Sequence, residues 1–327
     1  MKRLNCKISI YVQNGDPIVL DFTNEIEIIS SWKNLTDTAT ITIPKKITMG
    51  GESIFAGSNA LIKRGDGIRI ELGYYPNLNV HFSGWVSKVE NTSPVVIHCD
   101  DDMFLLKQNA IKKSFKSVDL DTLVSTIFSE SGIIGAEYET PDADLGSFRI
   151  TNATGCQVLK ELKKTYLTDA FFIDEKLFVG LQYVPALSTE HELTFEKNII
   201  DDGLEYQNAD DIKIKMKAVS MLPDNTKIEV ETGDPDGEVR TAYFYNITST
   251  SELKKIANRE LPKFKFTGYR GEFTTFGEPQ LKHGDTIKLT SFKFPERDGE
   301  YFVDKVTTTF GQSGFRQAVE MGRKSEL

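Results

Sequence analysis

Apolar and polar residues alternate along most of this chain, the period-2 mark of strands with one dry face. Residues 4–43 read as strands. Ile8-Ser9-Ile10-Tyr11-Val12 ends at the turn Asn14-Gly15-Asp16-Pro17. Ile26 and Ile28 alternate with Glu25 and Glu27. Ala39, Ile41 and Ile43 alternate with Thr38, Thr40 and Thr42 until Pro44 stops the strand. Lys45 to Gly57 reads as a loop with two adjacent glycines. His98 to Leu106 reads as a strand that meets an acidic N-cap and a short helix. Further on, Ile212, Ile214 and Met216 alternate with lysines, and Ile228 and Val230 with glutamates. Asp234-Pro235-Asp236-Gly237 turns the chain into a strand over Val239 to Tyr245.

The period changes over residues 111–183. Leu120, Leu123, Val124, Ile127 and Phe128 have the spacing of an amphipathic helix, stopped by Gly132. A capping box, Thr154-x-x-Gln157, opens a second helix that buries Val158, Leu159, Leu162 and Tyr166. A hairpin over Ala170 to Val179 turns at Asp174-Glu175-Lys176. Ser249-x-x-Glu252 starts a later helix, with Leu253, Ile256 and Ala257 on one side and Leu261-Pro262 as its end. The expected organisation is a first β-barrel domain over 1–110 and a small α+β domain over 111–188. A second β-barrel domain over 189–327 carries one inserted helix (249–262). The fold class is mixed and β-dominated, with two similar barrels joined by the α+β insertion.

The two strand-rich regions share a pattern. Gly65 to Pro76 matches Gly284 to Pro295 at an offset of 219, and Trp85 to Glu90 matches Phe302 to Thr307 at an offset of 217. Gly65, Asp66, Ile68, Pro76, Val86, Lys88 and Val89 are identical to their partners. Val86 and Val89 lie three apart, as do Val303 and Val306, so both copies break alternation at one place. A shared bulge, or a strand buried on both faces, would explain this.

Composition narrows the function. The 327 residues are 39% hydrophobic and 10% aromatic with 24 glycines, which fits a globular, strand-rich protein. No run of eighteen apolar residues exists, so no membrane-spanning helix is expected. The first residues lack a long apolar segment, so no secretory signal is expected. Cys6, Cys99 and Cys156 are odd in number and far apart, which suits a reducing compartment. The net charge of −9 is the wrong sign for gripping a phosphate backbone.

Chemical motifs are sparse. His98, Cys99 and Asp100-Asp101-Asp102 form the one spot resembling a metal site. Adjacent strand residues point to opposite faces, so His98 and Cys99 cannot chelate together without distortion. Asp234 to Gly237 lacks the further acidic ligands of a calcium loop and reads as a tight turn. His81, His98, His191 and His283 are scattered, with no HExxH pair, nucleophile-elbow serine, Walker loop or dinucleotide fingerprint. Glu296 and Asp298 sit in a turn as solvated carboxylates. Lys213, Lys215 and Lys217 make a basic stripe without interleaved aromatics and read as a solvated strand face. Trp32, Trp85 and Phe302 read as core. Asn34, Asn91, Asn152 and Asn246 fit an acceptor pattern that needs a secretory route to matter. No catalytic, cofactor-binding or metal-binding residue is assigned.

Taken together, several stretches resemble the baseplate hub proteins of contractile-tailed bacteriophages, of the late-control-D type related to the VgrG trunk. They are Phe82-x-Gly84-x-Val86-x-x-Val89, Cys99-x-Asp101-x-x-x-x-Leu106 and the helix Leu120 to Phe128. Pro279-x-Leu281-x-x-Gly284-Asp285-x-Ile287, Asp298-Gly299-x-Tyr301-x-Val303-x-x-Val306 and Gly314-Phe315-Arg316-Gln317 complete the set. The resemblance implies a homotrimer of two-barrel subunits, a pseudo-sixfold ring between a sixfold tail tube and a threefold spike. It implies a non-enzymatic virion protein of the tail baseplate, assembled in the host bacterial cytoplasm. Its partners would be the tail tube, the spike or needle, other baseplate proteins and the tape measure. The genome would pass through its channel without sequence-specific binding, and no cofactor is implied. Two alternatives stand beside it: a tail-associated cell-wall or polysaccharide hydrolase, and a carbohydrate-binding adhesin module using Trp85.

Overall fold

Two strand-rich stretches flank a helical one. The computed structural model describes residues 3–325 apart from 13–14, 50–51, 56–60, 134, 167, 174, 181–187, 223, 225 and 246. The first stretch holds β1 (Leu4–Tyr11), β2 (Ile18–Leu20), β3 (Glu25–Ser31), β4 (Thr38–Ile43), β5 (Lys46–Met49), β6 (Glu52–Phe55), β7 (Gly67–Tyr74), β8 (Asn79–Glu90) and β9 (Val95–Asp100). Then come α1 (Met103–Leu106), β10 (Ala110–Phe115), α2 (Leu120–Glu130), β11 (Tyr138–Glu139), β12 (Phe148–Thr154), α3 (Gly155–Thr165), β13 (Ala170–Ile173) and β14 (Lys176–Val179). The last stretch holds β15 (Glu190–Thr194), β16 (Ile199–Gln207), β17 (Ile214–Met221), β18 (Lys227–Gly233), β19 (Glu238–Tyr245), α4 (Thr250–Phe264), β20 (Gly268–Phe276), β21 (Thr286–Thr290), β22 (Gly299–Gly311) and β23 (Gly314–Lys324).

Thirteen strands form one sheet, in the order β16-β20-β23-β22-β3-β4-β9-β8-β7-β1-β2, with β21 beside β22 and β15 beside β21. The mixed, β-dominated class is thus observed, but the expected closed barrels are not: among the described residues no pairing closes either half. The cause is β22. Its first residues pair β21, from Thr286↔Phe302 to Leu289↔Gly299, and its later ones pair β3, from Lys305↔Ser31 to Gly311↔Glu25. The second half therefore runs into the first instead of returning on itself.

The cores follow the alternation. Ile8, Ile10, Ile26, Ile41, Ile70, Val86 and Ile97 pack together in the first half, joined by Phe310 and Phe315 from the β22–β23 hairpin. A second cluster joins Leu193, Phe273, Ile287, Leu289, Tyr301, Val303, Val306 and Val319. The helical segment buries Leu120, Leu123, Val124, Ile127 and Phe128 of α2 against Val158, Leu159 and Leu162 of α3. α4 lays Leu253 and Ala257 on Met216, Ala218 and Val230 of the β18-β17-β19 sheet.

Local signals behave as their chemistry requires, with three exceptions. The Thr154 hydroxyl accepts from Gln157 N while the Gln157 side chain accepts from Thr154 N, and Gly132 ends α2 with φ 77. Lys45 to Gly57 is not a plain loop, since β5 and β6 pair antiparallel from Lys46↔Phe55 to Met49↔Glu52. α4 runs past Pro262 to Phe264, because the ring removes one amide but leaves Lys265 N to reach Leu261 O. At α1 the boundary residue Asp102 makes no cap; Asp101 instead accepts from Met103 N. Asn14, Asp174 and Asn246 lie outside the described residues.

Candidate assembly interface

The repeated Gly-Asp corner has one hydrogen-bond plan in both places. Gly65 and Gly284 take φ 92 and φ 88, a left-handed backbone that glycine adopts without a Cβ penalty. Gly65 N donates to Val86 O at 2.8 Å and Val86 N to Asp66 O at 2.8 Å. Gly284 N donates to Val303 O at 2.9 Å and Val303 N to Asp285 O at 2.9 Å. Both aspartates are buried, and each accepts the amide of the lysine three residues earlier: Lys63 N to Asp66 Oδ2 at 2.7 Å, Lys282 N to Asp285 Oδ2 at 2.8 Å. The break in alternation is a shared bulge. Ser87 is the extra residue between the Val86↔Cys99 and Lys88↔His98 pairs, and Asp304 between Val303↔Met321 and Lys305↔Glu320.

The likeness extends beyond the sequence match. In chain order, β1, β3, β4, β7, β8 and β9 correspond to β15, β16, β20, β21, β22 and β23. Their ladders run β3-β4-β9-β8-β7-β1 and β16-β20-β23-β22-β21-β15. Every pairing is antiparallel in both, except that β1 meets β7 antiparallel while β15 meets β21 parallel.

A buried polar junction ties the copies together. Ser30 Oγ lies 2.6 Å from His283 Nδ1, and Asp37 Oδ2 lies 3.7 Å from that same nitrogen. Asp37 Oδ1 accepts from Ser31 N, while Asp101 accepts from Asp37 N at 2.8 Å. Burial raises the pKa of Asp37, with His283 opposing it; burial and the Asp37 charge hold Asp101 well above the carboxylate range. A serine, histidine and aspartate do meet here, but a hydrolytic triad needs the serine and the carboxylate on different ring nitrogens. Both sit at Nδ1, so the arrangement is a tether. A cavity of about 300 Å³ opens beside it, lined by Ser30, His81, Asp102, Phe172 and Gln280. Alternation patterns could not reveal this junction, because its members come from four separate segments.

The other singled-out residues stay apart. Cys99 is buried, while His98 faces the opposite way and lies 3.3 Å from Glu90. Among the described residues no group of three His, Cys, Asp or Glu is placed to hold a metal. Lys213, Lys215 and Lys217 pair with Asp236, Glu231 and Glu229, so the stripe carries little net charge. Asp234 accepts from Ile214 N, and Gly237 N closes the turn on Asp234 O. Asp298 accepts from Ser291 N. Trp32 and Trp85 are half-buried and donate through Nε1 to Asp304 and Asp102, both at 2.9 Å. No described helix is long and apolar enough to cross a membrane.

Comparison with solved structures places this architecture. A tail protein from Neisseria meningitidis matches with a TM-score of 0.64 at 13% identity, over 98% of this chain and 97% of its own. The 43 kDa tail protein of prophage MuSo2 from Shewanella oneidensis matches with a TM-score of 0.59 at 14% identity, over 98% of each chain. The chain has the tail-protein fold. An E. coli component of the type VI secretion system, described as structurally similar to bacteriophage T4 tail proteins gp27 and gp5, matches with a TM-score of 0.59. It is 9% identical over 98% of this chain and 77% of that one. No family model matches the sequence. No curated protein matches it either.

Proposed function

We propose that the protein is a structural hub of a phage-type tail baseplate, acting as a homotrimer. Three subunits of two similar strand units make a ring of six near-equivalent positions, so one face fits a sixfold tail tube and the other a threefold spike. The observation that carries this reading is the six-strand order and Gly-Asp corner occurring twice in one chain. The first and second strand units would span 1–110 and 189–327, with 111–188 as the α+β insertion. The partners would be the tube, the spike or needle, neighbouring baseplate proteins and the tape measure. The net charge of −9 suits a channel through which DNA slides without sticking. Function would reside in interfaces, without catalysis. Light scattering behind a sizing column should give about three times 36.8 kDa, with annular particles by negative stain. A stable monomer at high concentration would overturn the proposal.

A further inference from the structure

We infer that successive subunits join by pairing the bare edge of β16 with the open edge of β8 of the next copy, in the register by which β3 joins β22 inside one chain. The inference rests on the ring reading and specifies its seam.

Inside the chain the seam is fully made. β22 takes β3 along its later half, with Lys305↔Ser31, Val306↔Ser30 and Thr307↔Ile29 as its first rungs. The equivalent of β22 is β8, and the bulge equates Lys305 with Lys88 and Val306 with Val89. The equivalent of β3 is β16. Traced through the β9–β4 and β23–β20 ladders, Gln207 takes the place of Ser31, Tyr206 of Ser30 and Glu205 of Ile29. Among the described residues of one copy neither counterpart has a second neighbour: β16 pairs only β20, and β8 beyond the bulge pairs only β9.

Burial marks the same vacancy. Val306 is 1% exposed at the internal seam, whereas its equivalent Val89 is only half-buried. Ile28 is buried in β3, but its counterpart Leu204 in β16 is not. Tyr206 is 51% exposed at the strand edge, a large apolar group that rung-for-rung pairing would lay against Val89. The rung Glu90↔Glu205 would set two carboxylates opposite each other. Each already has its own cation, Lys88 at 2.6 Å and Arg270 at 3.4 Å, so the repulsion is neutralised within each subunit. β8 stops at Glu90 where β22 continues to Gly311, so this seam is shorter than the internal one. The threefold joints are therefore the weaker ones.

Cysteine pairing tests the register on the full-length protein. K88C with Q207C should oxidise to a covalent trimer on non-reducing gels, most of the chain shifting; each single variant should not. Asp201 lies six residues along β16 from Gln207, roughly 20 Å away and beyond disulfide reach, so K88C with D201C should give little trimer. A trimer by light scattering without cross-linking by the first pair, or with equal cross-linking by the second, overturns the seam and leaves the ring reading standing. A monomer by light scattering overturns both.

Discussion

Asp66 and Asp285 perform one task 219 positions apart: each buried carboxylate accepts the amide of the lysine three residues before it, at 2.7 and 2.8 Å. Removing either carboxylate leaves a part-buried backbone amide without its acceptor. Asp66→Ala should cost about 1–3 kcal/mol in urea unfolding. Asp285→Ala should cost more, because Asp285 also accepts from Thr189 N at 3.1 Å and lies 3.3 Å from His191 Nε2. Equal or smaller loss at Asp285 would contradict this account.

Gly284 has space around it, the nearest side-chain atom to a built Cβ being Ile173 Cδ1 at 3.9 Å. Its φ of 88 alone should therefore set the cost of Gly284→Ala, about 1–2 kcal/mol. A neutral or stabilising result in denaturant titration would rule out backbone strain there.

Phe315 belongs to the second copy in sequence but to the first copy's core in space. It is fully buried, with ring centroids 5.6 Å from Tyr74, 5.4 Å from His81 and 5.4 Å from Phe310. Phe315→Ala should cost about 3–5 kcal/mol, and calorimetry should show the first copy melting earlier. An unchanged melting profile would show that the hairpin tip is dispensable.

Tyr206 is the exposed anchor of the proposed subunit seam, and in the isolated chain its ring meets that of Tyr269 edge-on at 5.1 Å. Tyr206→Asp should raise the concentration at which trimers half-dissociate by about tenfold or more, by analogy with truncated aromatic hot spots. Circular dichroism should show the subunit still folded. Trimers as tight as the parent's would remove Tyr206 from the interface.

His81 has its pKa lowered to about 4, first by burial and then by Lys282. The unfolded chain takes up that proton near 6.5 and the folded chain does not. Stability is thus lost as pH falls from about 6.5 to about 4, with a slope of at most about 1.4 kcal/mol per pH unit. Asp37 and Asp101, raised by burial, act in the opposite sense: their penalty grows as pH rises above the ordinary carboxylate value. His81→Leu should flatten the acid limb of unfolding free energy against pH, and an unaltered limb would refute the assignment.

Much of the architecture was legible from local chemistry. Alternation located β4 and the first half of β3, and the Thr154–Gln157 box and Gly132 bounded α3 and α2, because caps and periodicity act over a few residues. The paired Val86/Val89 and Val303/Val306 spacings admit either a bulge or a strand buried on both faces, and Ser87 and Asp304 make it a bulge. The β5–β6 hairpin and the last turn of α4 are not legible in the sequence, since a glycine pair and a proline each admit two outcomes.

The sequence by itself determined that one chain carries the same strand unit twice, since glycine, aspartate and valine at matched spacings impose the same corner wherever they occur. Only the tertiary structure decided that the two units share one open sheet through β22 and β3, and that Ser30, Asp37, Asp101 and His283 meet behind that seam. Backbone pairing between distant strands is made by groups every residue has, so it leaves no residue signature. A polar cluster gathered from four segments acquires its meaning only when folding buries it.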